Sequence, residues 1–201
     1  MENLIFGLEE NARALTTQQD SDFIRFFIGT QVISGKNQIT LVEIDEEINK
    51  LRSKIFSHDY GEIWRLKSAP NLPLIASVYT SNHKRSSELT MQSAILRIPE
   101  NSEMMDPSKE QLEFVDVEIL DTEIYGNEIK TTEFHPSNAN LIATVIDAKI
   151  LLFNRAESKS QVVAEITGGK KFAGGMWGNA SSFVAIHENG IRSYDIRAVS
   201  Y

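Results

Sequence analysis

At 201 residues, 41% hydrophobic and 24% charged, the chain has a globular composition and enough length to bury a sizeable core. It contains no cysteine, which excludes disulfides, Cys-ligated zinc and thiol catalysis and fits a reducing compartment. The net charge of −8 resides in residues 100–123, where nine acids face one base, Lys109; the balanced remainder offers no basic footprint for nucleic acid or anionic lipid.

In chain order, Met1-Glu2-Asn3 opens without the positive and apolar regions of a signal peptide. No apolar run nears the roughly 18–20 residues of a spanning helix, so a cytoplasmic protein is expected. Residues 5–15 read as a first strand, followed by short β-rich runs at 23–30 and 38–44. The best helical window, 45–54, holds Ile48 and Leu51 three apart and is too short to count; 51–56 reads as a strand. Further strands are expected at 61–64, 74–79, 93–98, 112–119, 128–130, 141–146, 149–153 and 161–166. Each is near the usual five or six residues of a strand, and polar turns separate them. The chain is all-β.

A repeat organises these strands. Residues 142–154 form a strand, a turn at Asp147-Ala148 and a second strand, and residues 183–195 repeat the pattern with Asn189-Gly190 as the turn. The same pair recurs at 74–79 with 93–98 and at 26–31 with 38–45. The closing dipeptides Ile44-Asp45, Ile98-Pro99, Phe153-Asn154 and Tyr194-Asp195 lie 54, 55 and 41 residues apart. The last spacing is that of a WD40 unit, about 40–45 residues, and the longer ones hold loop insertions. Leading strands at 61–64 and 128–130 and outer strands at 51–56, 112–119 and 161–166 complete the units. The expectation is one partial WD40-type β-propeller over residues 1–201, with blades at about 4–57, 58–120, 124–167 and 171–201. Three blades would be four-stranded and the fourth would have three strands.

Specific residues extend this reading. Gly7-Leu8-Glu9-Glu10-Asn11-Ala12-Arg13-Ala14-Leu15-Thr16, then Ile24-Arg25-Phe26-Phe27-Ile28-Gly29-Thr30-Gln31 with Asn37-Gln38-Ile39, then Gly61-Glu62-Ile63-Trp64, resemble the family of EARP- and GARP-complex-interacting WD-repeat proteins (TSSC-type propellers) across essentially the whole chain. The resemblance implies the N-terminal half of a seven-bladed propeller that acts as an adaptor. Its partners would be subunits of the GARP and EARP tethering complexes, at the trans-Golgi network and endosomes. Its processes would be retrograde transport, endosomal recycling and dense-core vesicle cargo sorting. The chain departs from the family where no turn proline follows Trp177 and where the loop at 100–106 is short.

Candidate chemistry is sparse. His58, His83, His135 and His187 show no metal-ligand spacing, so no metal or cofactor is expected. His58, three residues before Gly61, would stand for the blade histidine of the family as a structural residue. Gly168-Gly169-Lys170-Lys171 with Gly174-Gly175 lacks the Lys and hydroxyl of a phosphate loop and reads as an inter-blade connection. The acids Asp45-Glu46-Glu47 read as a solvated turn, and the sequon Asn179-Ala180-Ser181 has no role in a cytosolic protein. Trp64, Trp177 and Tyr194-Asp195 read as blade packing, and Asp147 as a turn cap.

The expected function is a non-catalytic protein-binding scaffold. The candidate protein-binding residues are Glu113, Asp116 and Glu118, expected to be exposed on an outer strand whose Leu112, Phe114, Val117 and Ile119 are buried, with a bulge at Val115. Such acids would steer a basic partner or protect a sheet edge. The alternatives are a propeller hydrolase with acids such as Glu62 and Glu128 at a central channel, and a truncated product without independent function.

Overall fold

The computed structural model describes residues 4–18, 24–33, 35–45, 50–81, 90–99, 111–156 and 159–198. Sheet 1 is an antiparallel meander of β1 (Ala12–Thr17), β2 (Ile24–Thr30), β3 (Asn37–Asp45) and β4 (Lys50–His58). Sheet 2 joins β5 (Glu62–Ser68), β6 (Leu74–Ser81) and β7 (Thr90–Arg97). The chain then adds β8 (Gln111–Leu112) in parallel to β4 of sheet 1 before β9 (Asp116–Ile119) closes sheet 2 antiparallel to β7. Sheet 3 is β10 (Ile129–His135), β11 (Asn138–Ile146), β12 (Lys149–Ala156) and β13 (Lys159–Thr167). Sheet 4 has three strands, β14 (Phe172–Asn179), β15 (Ser182–His187) and β16 (Gly190–Asp195), followed by a 3-10 turn at Ile196–Ala198.

Alternation along each strand explains how the sheets stack, because successive side chains point to opposite faces. On β11, Ile142 and Ile146 pack toward sheet 2 while Ala143 and Val145 pack toward sheet 4. On β6, Leu74, Ala76 and Val78 face sheet 3 while Ile75 and Tyr79 face sheet 1. Three hydrophobic cores therefore lie between successive sheets, and the leading strands β1, β5, β10 and β14 pack one on the next. This is the arrangement of consecutive propeller blades. Among the described residues, no substantial packing joins β14 back to β1, so the four sheets form an open arc.

Two glycines make the tight entries into leading strands possible. Gly61 has φ +140°, and a Cβ there would lie 1.8 Å from the Thr80 carbonyl oxygen. At Gly126 a Cβ would meet the Asp147 carboxylate at 2.3 Å.

Several expectations need correction. The first strand spans Ala12–Thr17 rather than 5–15. The expected single strand at 112–119 is two strands in two sheets. Leu112 and Phe114 pack on sheet 1, with Phe114 stacked on Phe56 at 5.2 Å, and the change of phase at Val115 marks the crossing to sheet 2. The last hairpin turns at Glu188-Asn189, and Gly190 (φ +129°) already pairs with His187. The expectations for His83, for the loop at 100–106 and for Glu46 and Glu47 lie outside the described residues.

Candidate interaction surface

The acidic stretch resolves into two environments because β9 has two faces. Glu113 is exposed before β9, and the Asp116 side chain is partly exposed. Glu118 is not, contrary to expectation. It stands beside Ile95 on the face directed at sheet 3, where its carboxylate pairs with the Arg155 guanidinium at 2.8 Å and accepts the backbone N–H of Ser160. The Arg155 and Glu118 side chains are only 5% and 12% exposed, and Asp116 lies 3.9 Å from the same guanidinium. An outer strand of a lone sheet shows its polar face to water, but here the next blade covers that face. Ile119 is the converse case: it was expected to be buried and is half exposed. It stands at the rim opposite Ala94, whose methyl gives it little to pack on.

The rim of sheet 2 therefore presents Glu113, Asp116, Asp121 and Glu123 interleaved with exposed Val115, Ile119 and Ile124. The apolar members were missed from the sequence. Their only signal was that Val115 and Ile124 fall outside the two-residue period of a strand.

The other candidates are structural. Trp64 donates its indole N–H to Thr80 at 2.5 Å and carries Arg13 of sheet 1 over its ring at 4.1 Å. Trp177 donates to the Glu133 carbonyl at 3.2 Å and packs edge-on against His135 and Phe183, so each tryptophan touches the preceding blade. His58 is fully buried, 3.0 Å from the Ser77 hydroxyl and edge-on to Tyr60 and Tyr79. Burial lowers its pKa to about 4, against a smaller opposing attraction from Asp59, so the ring is neutral. His135 accepts the Ser137 N–H at Nδ1 and donates from Nε2 to the Ala180 carbonyl at 2.7 Å, which ties sheet 3 to the β14–β15 turn. His187 meets the Tyr194 hydroxyl at 2.7 Å. No cluster of metal-ligating residues occurs among the described residues.

Asp147 occupies its turn with φ +45° and accepts the Asn127 N–H at 2.9 Å. Lys171, from the glycine-rich connection, bridges Asp147 and Glu128 at 3.2 and 3.1 Å. Hydrogen bonds from Lys171 and then Lys130 hold the Glu128 carboxyl below its usual range. Glu62 accepts a hydrogen bond from Gln31 at 3.4 Å. Glu133, between sheets 2 and 3, has its pKa raised by burial, with Thr131 and Lys67 acting in the opposite sense. No helix among the described residues is long and apolar enough to cross a membrane.

No protein-family model matches the chain. It is 29% identical to EARP and GARP complex-interacting protein 1 of Homo sapiens and 29% identical to the EARP-interacting protein homolog of Gekko japonicus, in each case over 98% of this chain and 55% of the relative. EARP-interacting protein 1 of Caenorhabditis elegans is 34% identical over 83 residues, 40% of this chain and 23% of that protein. The chain thus spans about half the length of the first two relatives, and these relatives are named for the complexes they interact with.

Proposed function

We propose that this chain is a non-catalytic WD40-type scaffold, with blades at about 4–57, 58–120, 124–167 and 171–201, that binds subunits of the GARP and EARP tethering complexes. The observation that carries the reading is the rim of sheet 2, where exposed acids alternate with exposed apolar side chains over residues 113–124. Such a surface suits a basic, amphipathic segment, with the acids steering encounter and Val115, Ile119 and Ile124 supplying contact area. The names of the relatives, which describe proteins that interact with these complexes, support the choice of partner and a role without catalysis. On this reading the protein works at the cytoplasmic surface of the trans-Golgi network and endosomes. There it serves retrograde transport, endosomal recycling and dense-core vesicle cargo sorting.

The test reverses Glu113, Asp121 and Glu123 to lysine and leaves Asp116 and Glu118 to hold Arg155. Association with the purified tethering complex is then followed at two salt concentrations. The expected outcome is an on-rate lowered roughly tenfold or more at low salt, with a flatter salt dependence. An unchanged rate would show that the acids only protect the sheet edge from association.

A further inference from the structure

A pocket of about 340 Å³ lies at the seam of sheets 1 and 2, walled by the β2–β3 turn, the β4–β5 connection and the end of β6 at Thr80. That volume is at the low end of ligand sites, about 300–1,000 Å³, and suits one side chain rather than a large cofactor. One wall is fixed in advance. Buried Asn37 accepts the Val32 N–H at 2.8 Å and the Thr30 hydroxyl at 3.0 Å, and donates to the Val32 carbonyl at 3.0 Å, which closes the β2–β3 turn. The groups left open in the pocket are mostly acceptors. Asp59 is exposed and Glu62 half-buried, and among the described residues neither makes an ion pair; Glu62 takes only the long bond from Gln31. Lys36, exposed at the mouth, pairs with neither acid. The aromatic wall is Tyr60, edge-on to His58. Burial, then Asp59 and then Glu113 raise the Tyr60 pKa, so the first acid of the sheet 2 rim also acts on this wall. His58 supplies the observation that points to a ligand. Its Nε2 meets the Ser77 hydroxyl, whereas Nδ1 has no hydrogen-bond partner although the ring is fully buried and lines the pocket. The Gly61 and His58 backbone lies near the ring, but no bond to Nδ1 is completed. A buried ring nitrogen left without a partner is costly, and a polar group in the pocket would relieve it.

We propose that this pocket binds an arginine side chain presented by a partner's segment. The guanidinium lies against the Tyr60 ring, donates to the Asp59 and Glu62 carboxylates and to His58 Nδ1, and its aliphatic stem leaves past exposed Ile33. The two unpaired carboxylates decide the sign of the occupant, and the orphaned nitrogen decides that it is a donor. The ring proton then sits on Nε2, facing the Ser77 hydroxyl. Arginine is preferred to lysine because a planar fork of five donors can reach acceptors on several sides while stacking on a ring, whereas an ammonium is a compact point charge. The proposal deepens the reading of a basic partner given above and rests on it, naming the residue type that anchors that partner.

The test is titration of the 201-residue chain with N-acetyl-argininamide, followed by NMR of the backbone amides and of the His58 ring nitrogens. Binding is expected to saturate with a Kd on the order of 1 mM for a ligand of this size, with shifts centred on the pocket walls and a displaced His58 Nδ1 resonance. Asp59→Asn and Glu62→Gln keep the side-chain shapes, and the latter keeps an acceptor for Gln31, so the fold is expected to be unaltered. Each should weaken binding about fivefold or more, whereas Glu123→Gln, on the rim but outside the pocket, should leave it unchanged. N-acetyl-citrullinamide, the neutral isostere, should bind at least about tenfold more weakly, and N-acetyl-lysinamide more weakly than the arginine ligand. Absence of saturable binding, equal binding of the citrulline or lysine ligand, or an unmoved Nδ1 resonance overturns the proposal. The tethering-complex reading fails separately, because its test uses the whole complex and alters Glu113, Asp121 and Glu123 while Asp59 and Glu62 stay intact.

Discussion

Removing Arg155 tests how the blades are held together. Its guanidinium belongs to sheet 3, its partner Glu118 to sheet 2, and both are nearly buried. Arg155→Met keeps the aliphatic stem and leaves the Glu118 carboxylate with the Ser160 N–H as its remaining hydrogen bond. Breaking a buried pair by deleting one partner costs about 3–5 kcal/mol; the retained N–H and partial exposure put this case near the lower figure, about 3 kcal/mol. With a urea m-value of roughly 2–3 kcal/mol/M for a chain of this size, the midpoint should fall by about 1–1.5 M. Glu118→Gln in the same chain keeps an acceptor for Ser160 but removes the stranded charge, so the double variant should regain at least about 1.5 kcal/mol. The assay is equilibrium urea unfolding of the four proteins at one protein concentration. A loss below about 0.5 kcal/mol for Arg155→Met, the range of exposed pairs, or simple additivity of the two substitutions, would refute the view that this pair clasps two blades.

Gly61→Ala forces a Cβ toward the Thr80 carbonyl and should cost more than the roughly 1–3 kcal/mol of backbone strain alone; Gly169→Ala, with φ +72° and open space, should stay within that range by thermal melting. Neutral His58 protonates more readily in the unfolded chain. Its stabilisation is therefore complete above pH 6.5 and is lost as pH falls toward its folded pKa of about 4, roughly 3 kcal/mol in all; His58→Phe should remove that component from the stability–pH curve. Trp177→Phe should lose about 1 kcal/mol with the Glu133 carbonyl bond, and Trp177→Ala about 3 kcal/mol, a drop of about 6–12 °C in Tm.

The strands were legible because each is a short β-rich run bounded by polar turns, and the hairpin pairs were legible because the same unit recurs. What the sequence left open is which neighbour covers each face. Glu118 alternates with Val117 and Ile119 as a solvent-facing acid should, yet the next sheet brings Arg155 against it, and nothing local to residues 112–119 encodes Arg155. The same blindness hid the division of that segment: Leu112 and Phe114 are apolar whether they pack on β7 or on Phe56 of another sheet. Trp64 and Trp177 were read correctly as packing residues, since a leading strand in a stack of sheets always meets the preceding one. Residues 4–11 misled because Ile5, Phe6 and Leu8 have strand-like composition, whereas Ile5 and Phe6 are exposed and strand pairing begins only at Ala12.

The short parallel pairing of β8 on β4 imposes an order on synthesis. The outer edge of β4 is complete when His58 leaves the ribosome, but its partner, Leu112, is made 54 residues later. At about 5–20 residues per second, that edge waits some 3–11 seconds without its cover. During the wait β5, β6 and β7 emerge and can pair, yet sheet 2 still lacks β9, whose residues follow β8 directly. A single short passage of translation then finishes two sheets together, because residues 111–119 supply the last strand of both. Sheets 1 and 2 therefore mature in one late step rather than one after the other, and a ribosome paused before residue 111 holds a nascent chain with two open β edges.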